Sequence, residues 1–177
     1  MSKTMKVFAF VSLAMFLFFS AMNFCFAKDW MLTMAITFAT MAYHFWMRLI
    51  VGYIVNKVMN NKADYTRKRY QLHPIERRLY EILKVKRWKS RMPSYDPELF
   101  SPKKHTWDEI AQAMCQAEVV HEIIIVLSFV PILASAFLGA FSVFLWTSIL
   151  SALFDSLFVI MQRYNRQRVM RGIKKRK

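Results

Sequence analysis

Long stretches without charge alternate along this chain with short stretches crowded by it. Residues 7–27 carry no charged side chain, nor do residues 30–47, and across 123–162 the only ionised group is Asp155. A helix of about 20 apolar residues crosses the hydrocarbon core of a bilayer. The first two runs therefore predict one crossing each, and the third is long enough for a hairpin of two. The pattern reads as an all-α, polytopic membrane protein with spans at about 7–27, 30–55, 121–139 and 142–162. A cytoplasmic loop over 56–105 and a basic tail over 163–177 complete a single membrane domain, 1–177.

Within the loop, the segment HPIERRLYEILKVKRWK (73–89) sets Ile75, Leu79, Ile82 and Leu83 along one helical stripe, with Arg77, Arg78, Lys84 and Arg87 mainly elsewhere. Such a segment predicts an amphipathic helix lying in the headgroup plane on the cytoplasmic face. Pro93, Pro97 and Pro102 forbid a continuous helix through the stretch that follows. Thr106 with Glu109 then forms a capping-box pattern that predicts a helix starting at Trp107. That helix is expected to run on into the third span.

The charge balance adds direction. The chain has 177 residues, 56% of them hydrophobic, yet a formal net charge of +15. A soluble nucleic-acid binder reaches such a charge but not with long charge-free runs, so the expected partners are lipids and not nucleic acid. The loop holds fourteen of the 26 basic residues and the tail eight more. Lysine and arginine concentrate on the cytoplasmic side of membrane ends. The chain therefore reads as a multi-pass cell-membrane protein with both termini cytoplasmic, facing an anionic inner leaflet. The first run has a second reading as a cleaved signal peptide, ending CFA before Lys28. Cleavage would leave the same inner-face loop and tail. Cys25 and Cys115 lack metal-ligand spacing and are expected as small buried thiols.

Three groups of residues carry candidate chemistry. Glu118 and His121 in AEVVHE share a helix face at spacing i, i+3. A carboxylate there would orient the imidazole, and His121 would take a proton from a hydroxyl attacking an acyl carbonyl. The same spacing serves di-iron bundles, but those need a second ExxH and further carboxylates, so no metal is expected. A structural reading, in which the pair only satisfies itself, stands beside the catalytic one. His44 and Arg48 share a face of the second span, and Asp155 lies within the fourth. Intramembrane charges are costly, so these three form a candidate polar cluster, either functional or fixing helix packing. In WKSRMP, Trp88, Lys89 and Arg91 suit an interface with phosphate-bearing headgroups or coenzyme A, or equally a basic anchor.

The elements WKSRMP at 88–93, AEVVH at 117–121 and QRYNRQR at 162–168 stand in an order and spacing that resemble the glycosyl-4,4'-diaponeurosporenoate acyltransferase family, the staphyloxanthin-type small membrane acyltransferases. The resemblance covers about residues 88–170. QRYNR is its specific element, and Gln167 stands where the family pattern has proline. The resemblance implies transfer of a fatty acyl group to a hydroxyl of a membrane glycolipid, with an acyl donor such as acyl-CoA as co-substrate and no bound cofactor. It implies His121 as base and Glu118 as its orienter. Arg163 and Arg166 would bind donor phosphates or a headgroup, and Tyr164 or Asn165 an oxyanion, with Gln162 in the same substrate-binding stretch. Two other classes remain open to the residues themselves: a non-catalytic basic membrane scaffold, and a small transporter subunit using Asp155, His44 and Arg48 as a relay. A different small membrane transferase is a further reading within the enzyme class.

Overall fold

A computed structural model describes residues 2–176, apart from the side chains of residues 2, 175 and 176. The described residues form helices and connecting turns, with no strand among them. The elements are α1 (Ser2–Phe26), α2 (Asp29–Met59), α3 (Pro74–Ile82), α4 (Val85–Trp88), α5 (Trp107–Leu127), α6 (Pro131–Leu138) and α7 (Phe141–Arg176). Four helical stretches are long and apolar enough to cross a membrane: Lys3–Phe26, Asp29–Met59, Trp107–Leu138 and Phe141–Lys174. Their outer faces fit that reading. Phe24 is 92% exposed and Phe137 90%, among many other bare apolar side chains. Soluble chains rarely show such contiguous apolar surface, because water penalises it.

The helices run past the uncharged stretches into polar sequence at several ends. The capping box at Thr106 and Glu109 is formed: Glu109 Oε2 accepts from the Thr106 backbone N–H at 2.8 Å, and Thr106 Oγ1 accepts from the Glu109 N–H at 3.3 Å. From there α5 continues without a break to Leu127. The expected single helix over 73–89 is instead two. Lys84 adopts the left-handed conformation (φ 49°, ψ 40°), which ends the helical hydrogen-bond ladder after α3. Trp88 folds back, its indole N–H donating to the Leu83 carbonyl at 3.0 Å.

The chain divides into two compact units. One comprises residues 1–51 and 124–153. Here α1 and α2 pack through aromatic rings: Phe8 stacks on Phe45, Phe19 on Phe38, and Phe10 meets Trp46 edge-on. The third span is interrupted at residues 128–130. Pro131 has no N–H to donate to the carbonyl of Leu127, four residues back. The Tyr43 hydroxyl fills that place, donating to the Leu127 oxygen at 2.8 Å. The same carbonyl accepts from the Val130 N–H at 3.1 Å, so it keeps two partners across the break.

The second unit comprises residues 52–123 and 154–177. Its core is Ile110, Ala111, Met114, Val169 and Ile173, with Tyr65, Phe100 and Trp107 packed on them. Asn60 and Asn61 turn the chain at the end of α2 with positive φ, which asparagine tolerates. Gln116 staples this turn, accepting from the Asn61 N–H at 2.7 Å and donating to Asn56 Oδ1 at 3.1 Å. On α3, Tyr80 points inward and is buried, while Ile75, Leu79 and Ile82 are exposed. That leaves an apolar stripe on the outside of a helix rich in arginine. Cys115 is buried and Cys25 exposed, unlike the expectation of two buried thiols.

Candidate functional site

The second unit gathers most of the candidate residues, because α5 and α7 run alongside each other there. His121 and Phe158 stand equally far in sequence from the turn at Gly139 and Ala140. Their rings are stacked, with centroids 4.5 Å apart and planes 8° from parallel. Asp155, just under one turn before Phe158 on α7, sets Oδ1 2.8 Å from His121 Nδ1. Asp155 is 1% exposed and His121 21%, so the carboxylate is enclosed while the imidazole keeps partial exposure. An ionised carboxylate in this position would accept the Nδ1 proton, and a neutral ring so held would present Nε2 as its acceptor nitrogen.

Glu118 does not take the place at His121 that its spacing suggested. Its side chain is fully buried, with Oε1 accepting from Arg163 Nη1 at 2.6 Å and Oε2 accepting from Arg166 Nη1. One turn of helix separates Glu118 from His121, but α7 presents guanidiniums to the first and a carboxylate to the second. Opposite charge across the interface decides each partner. A rule that pairs residues within one helix does not foresee this.

Arg163 and Arg166 are likewise engaged inside the protein. Arg163 also donates from Nη2 to Glu76 Oε2 at 3.0 Å and to the Gln71 carbonyl at 3.2 Å, and from Nη1 to the Arg69 carbonyl at 3.2 Å. Arg166 donates to the Tyr70 carbonyl from Nε at 3.2 Å and Nη2 at 2.8 Å, and its guanidinium lies 5.1 Å over the Tyr70 ring. Two carboxylates and two guanidiniums thus form a neutral quartet that ties α7 to α5, to the start of α3 and to the turn at residues 69–71. Glu76 also accepts from the His73 N–H at 2.7 Å, so the same carboxylate starts α3. Arg69 pairs with Glu122 beside them, and that hydrogen bond holds the Arg69 guanidinium above its ordinary pKa. Most donors of the two guanidiniums are thus taken up inside the protein, while Arg163 Nε is buried without a hydrogen-bond partner among the described residues. Glu76, Glu122 and the three carbonyls carry no motif; their part depends on the path of the loop.

Lys89 lies apart from this quartet. Its ammonium donates to Asn165 Oδ1 at 2.5 Å and sits 5.0 Å over the Tyr164 ring, which in turn meets Tyr80 edge-on. Gln162 is buried, whereas Arg91 is exposed. Trp88 serves the end of α3, as described above.

His44 and Arg48 belong to the other unit. There Arg48 Nη2 donates to Ser151 Oγ at 2.8 Å, His44 Nδ1 lies 3.2 Å from the same oxygen, and Ser128 Oγ lies 2.9 Å from it. Ser151 and Ser128 were not among the expected residues; small hydroxyls in apolar runs leave no signal until their neighbours are known. No group of three or more possible metal ligands occurs among the described residues.

The family model described as glycosyl-4,4'-diaponeurosporenoate acyltransferase matches residues 61–175, which contain all three motif elements and the His121–Asp155 pair. No curated protein and no solved structure matches the chain.

Proposed function

This chain belongs to the glycosyl-4,4'-diaponeurosporenoate acyltransferase family, and from that premise we propose that it moves a fatty acyl group onto a hydroxyl of a membrane glycolipid with His121 as general base. The observation that carries the reading is the 2.8 Å contact between His121 Nδ1 and a buried Asp155, on an imidazole that stays partly exposed. Asp155 holds the ring in the tautomer with Nε2 unprotonated, and the Phe158 ring fixes its plane. Nε2 removes the hydroxyl proton as the acceptor oxygen attacks the thioester carbonyl of a donor such as acyl-CoA. The imidazolium that forms faces the Asp155 carboxylate. When the tetrahedral intermediate collapses, the carbon–sulfur bond breaks and the proton passes to the leaving thiolate, so the products are an ester and a free thiol. A positioned base of this kind contributes about 10²- to 10⁴-fold to rate.

In this reading Asp155 replaces Glu118 as the positioning residue for His121. Glu118, Arg163 and Arg166 hold the framework. Residues 123–154 carry no charge, so in the sequence His121 and Asp155 flank a long uncharged stretch, which supports an apolar, membrane-borne acceptor. The basic loop and tail support a cytoplasmic position for both termini and for the donor, by the asymmetry of lysine and arginine. The exposed Ile75, Leu79 and Ile82 support contact of α3 with the anionic inner leaflet.

Mass spectrometry of total lipid extracts tests the proposal. Cells expressing the intact chain are compared with cells expressing His121→Ala at matched membrane levels, in a host that makes the glycolipid. A glycolipid gaining a fatty-acyl mass only with the intact chain supports acyl transfer and names the acceptor. Identical profiles would favour the non-catalytic scaffold instead.

A further inference from the structure

The quartet around Glu118 takes up most donors of Arg163 and Arg166, yet an acyl donor or a phospholipid brings phosphate to this face. A different set of cations meets the requirements for holding it. We propose that Lys89, Asn165, Tyr164 and Arg168 form an anion subsite that takes a phosphate ester group.

Lys89 is half-buried, and the partners of its ammonium among the described residues are the Asn165 side-chain oxygen and the face of Tyr164, both neutral. The charge acting on it comes from Arg168, which has the same sign. Burial, and then that neighbouring guanidinium, lower the Lys89 pKa from its ordinary value. Lys89 lies over the Tyr164 ring and feels the like charge of Arg168, and two neighbouring cations are stabilised when an anion joins them. The carboxylates around Arg163 are engaged elsewhere: Glu76 and Glu118 by the two arginines, and Glu122 by Arg69.

The donor types select phosphate. Arg168 is exposed and lies one turn beyond Tyr164 on α7, so its planar fork is open to a bidentate oxyanion. Lys89 supplies a point charge fixed by two contacts. With Asn165 Oδ1 turned to the ammonium, its Nδ2 remains a donor. Ten residues of α7, about 15 Å at 1.5 Å per residue, separate Asn165 from Asp155. A phosphate held here is therefore a handle, remote from the reacting carbonyl, whose binding energy serves to position the donor. The anion site stands on its own geometry; naming a donor as its ligand rests on the acyl-transfer reading. Coenzyme A and a phospholipid headgroup carry the same chemistry.

Amine acetylation of the purified full chain, read peptide by peptide by mass spectrometry, tests the subsite. Protection of Lys89 is measured in neutral detergent with inorganic pyrophosphate or CoA, and in lipid nanodiscs of phosphatidylglycerol against phosphatidylcholine. At a ligand concentration ten times the dissociation constant, labelling of Lys89 should slow about tenfold, as 1 + [L]/Kd requires, while exposed Lys103 is unaffected. Protection by pyrophosphate or CoA assigns a soluble donor. Protection confined to phosphatidylglycerol assigns a lipid headgroup. Absence of protection under both conditions overturns the proposal. Arg168→Gln, an exposed change that spares the fold, should weaken the protecting affinity about tenfold, in line with loss of a charge-assisted contact; an unchanged affinity counts against the site. His121→Ala should keep full protection, so loss of acyl transfer with protection intact would separate failure of the base from failure of the subsite.

Discussion

Replacing Glu118 by glutamine separates a framework role from a chemical one. Glu118 is fully buried and accepts from both Arg163 and Arg166. The amide keeps the shape and one acceptor oxygen but removes the charge. Arg163 retains Glu76. Arg166, itself 1% exposed, keeps neutral partners such as the Tyr70 carbonyl. One buried guanidinium is thus left without its carboxylate, and breaking a buried pair in this manner costs about 3–5 kcal/mol. For a chain of this length each kcal/mol moves the melting midpoint by about 2–4 °C, so a fall on the order of 10 °C is expected. The assay is thermal unfolding in detergent, followed by tryptophan fluorescence, with initial acyl-transfer rates measured below the transition. Replacing both partners with leucine should recover more than half of the loss, because an apolar pair leaves no buried charge behind. If Glu118→Gln melts like the wild type yet loses acyl transfer, the framework role is wrong and Glu118 acts at the reacting groups.

Other expectations follow from local geometry. Lys84→Gly should raise stability by about 1 kcal/mol, since glycine adopts φ 49° without the Cβ conflict; an unchanged or lower melting midpoint would contradict this. Thr106→Ala removes the cap of α5 and should lower stability by about 1 kcal/mol, seen as faster amide exchange over the first turn, residues 107–110. The subsite also predicts a pH dependence. The charged ammonium binds the anion, so pyrophosphate or CoA affinity is full below the Lys89 pKa and falls as pH rises through it. Burial and Arg168 set that pKa below the ordinary lysine value, so the fall begins earlier than for an exposed lysine. Lys89→Arg, which stays charged, should hold affinity to higher pH, and a flat profile in both proteins would count against the assignment.

The architecture was largely legible because it is written in long periodic runs. Uncharged stretches announce the four spans, and the capping box at Thr106 marks the start of α5 to the residue. The break at Lys84 was not legible, since lysine carries no left-handed signature, whereas Asn60 and Asn61 carry one. The site was legible in its components and not in its pairing. Spacing brought Glu118 and His121 together on one helix, but their partners lie 45 and 34 residues further along the chain. Symmetry about the turn at Gly139 does place Phe158 against His121, and Asp155 just under a turn away, so the hairpin held the information that the helix-face rule missed. The carbonyls of residues 69–71, which absorb the two arginines, depend on a loop path that composition does not encode.

The central claim is that His121, oriented by Asp155, takes the acceptor proton. Its most direct test is the initial rate of acyl transfer from labelled acyl-CoA to the identified glycolipid, by purified chain in nanodiscs, for wild type, His121→Gln and Asp155→Asn. The account predicts that His121→Gln lowers kcat by about 10²–10⁴-fold and that Asp155→Asn lowers kcat with little change in KM, while CoA protection of Lys89 persists in both. A His121→Gln protein that turns over within a few-fold of wild type would contradict it.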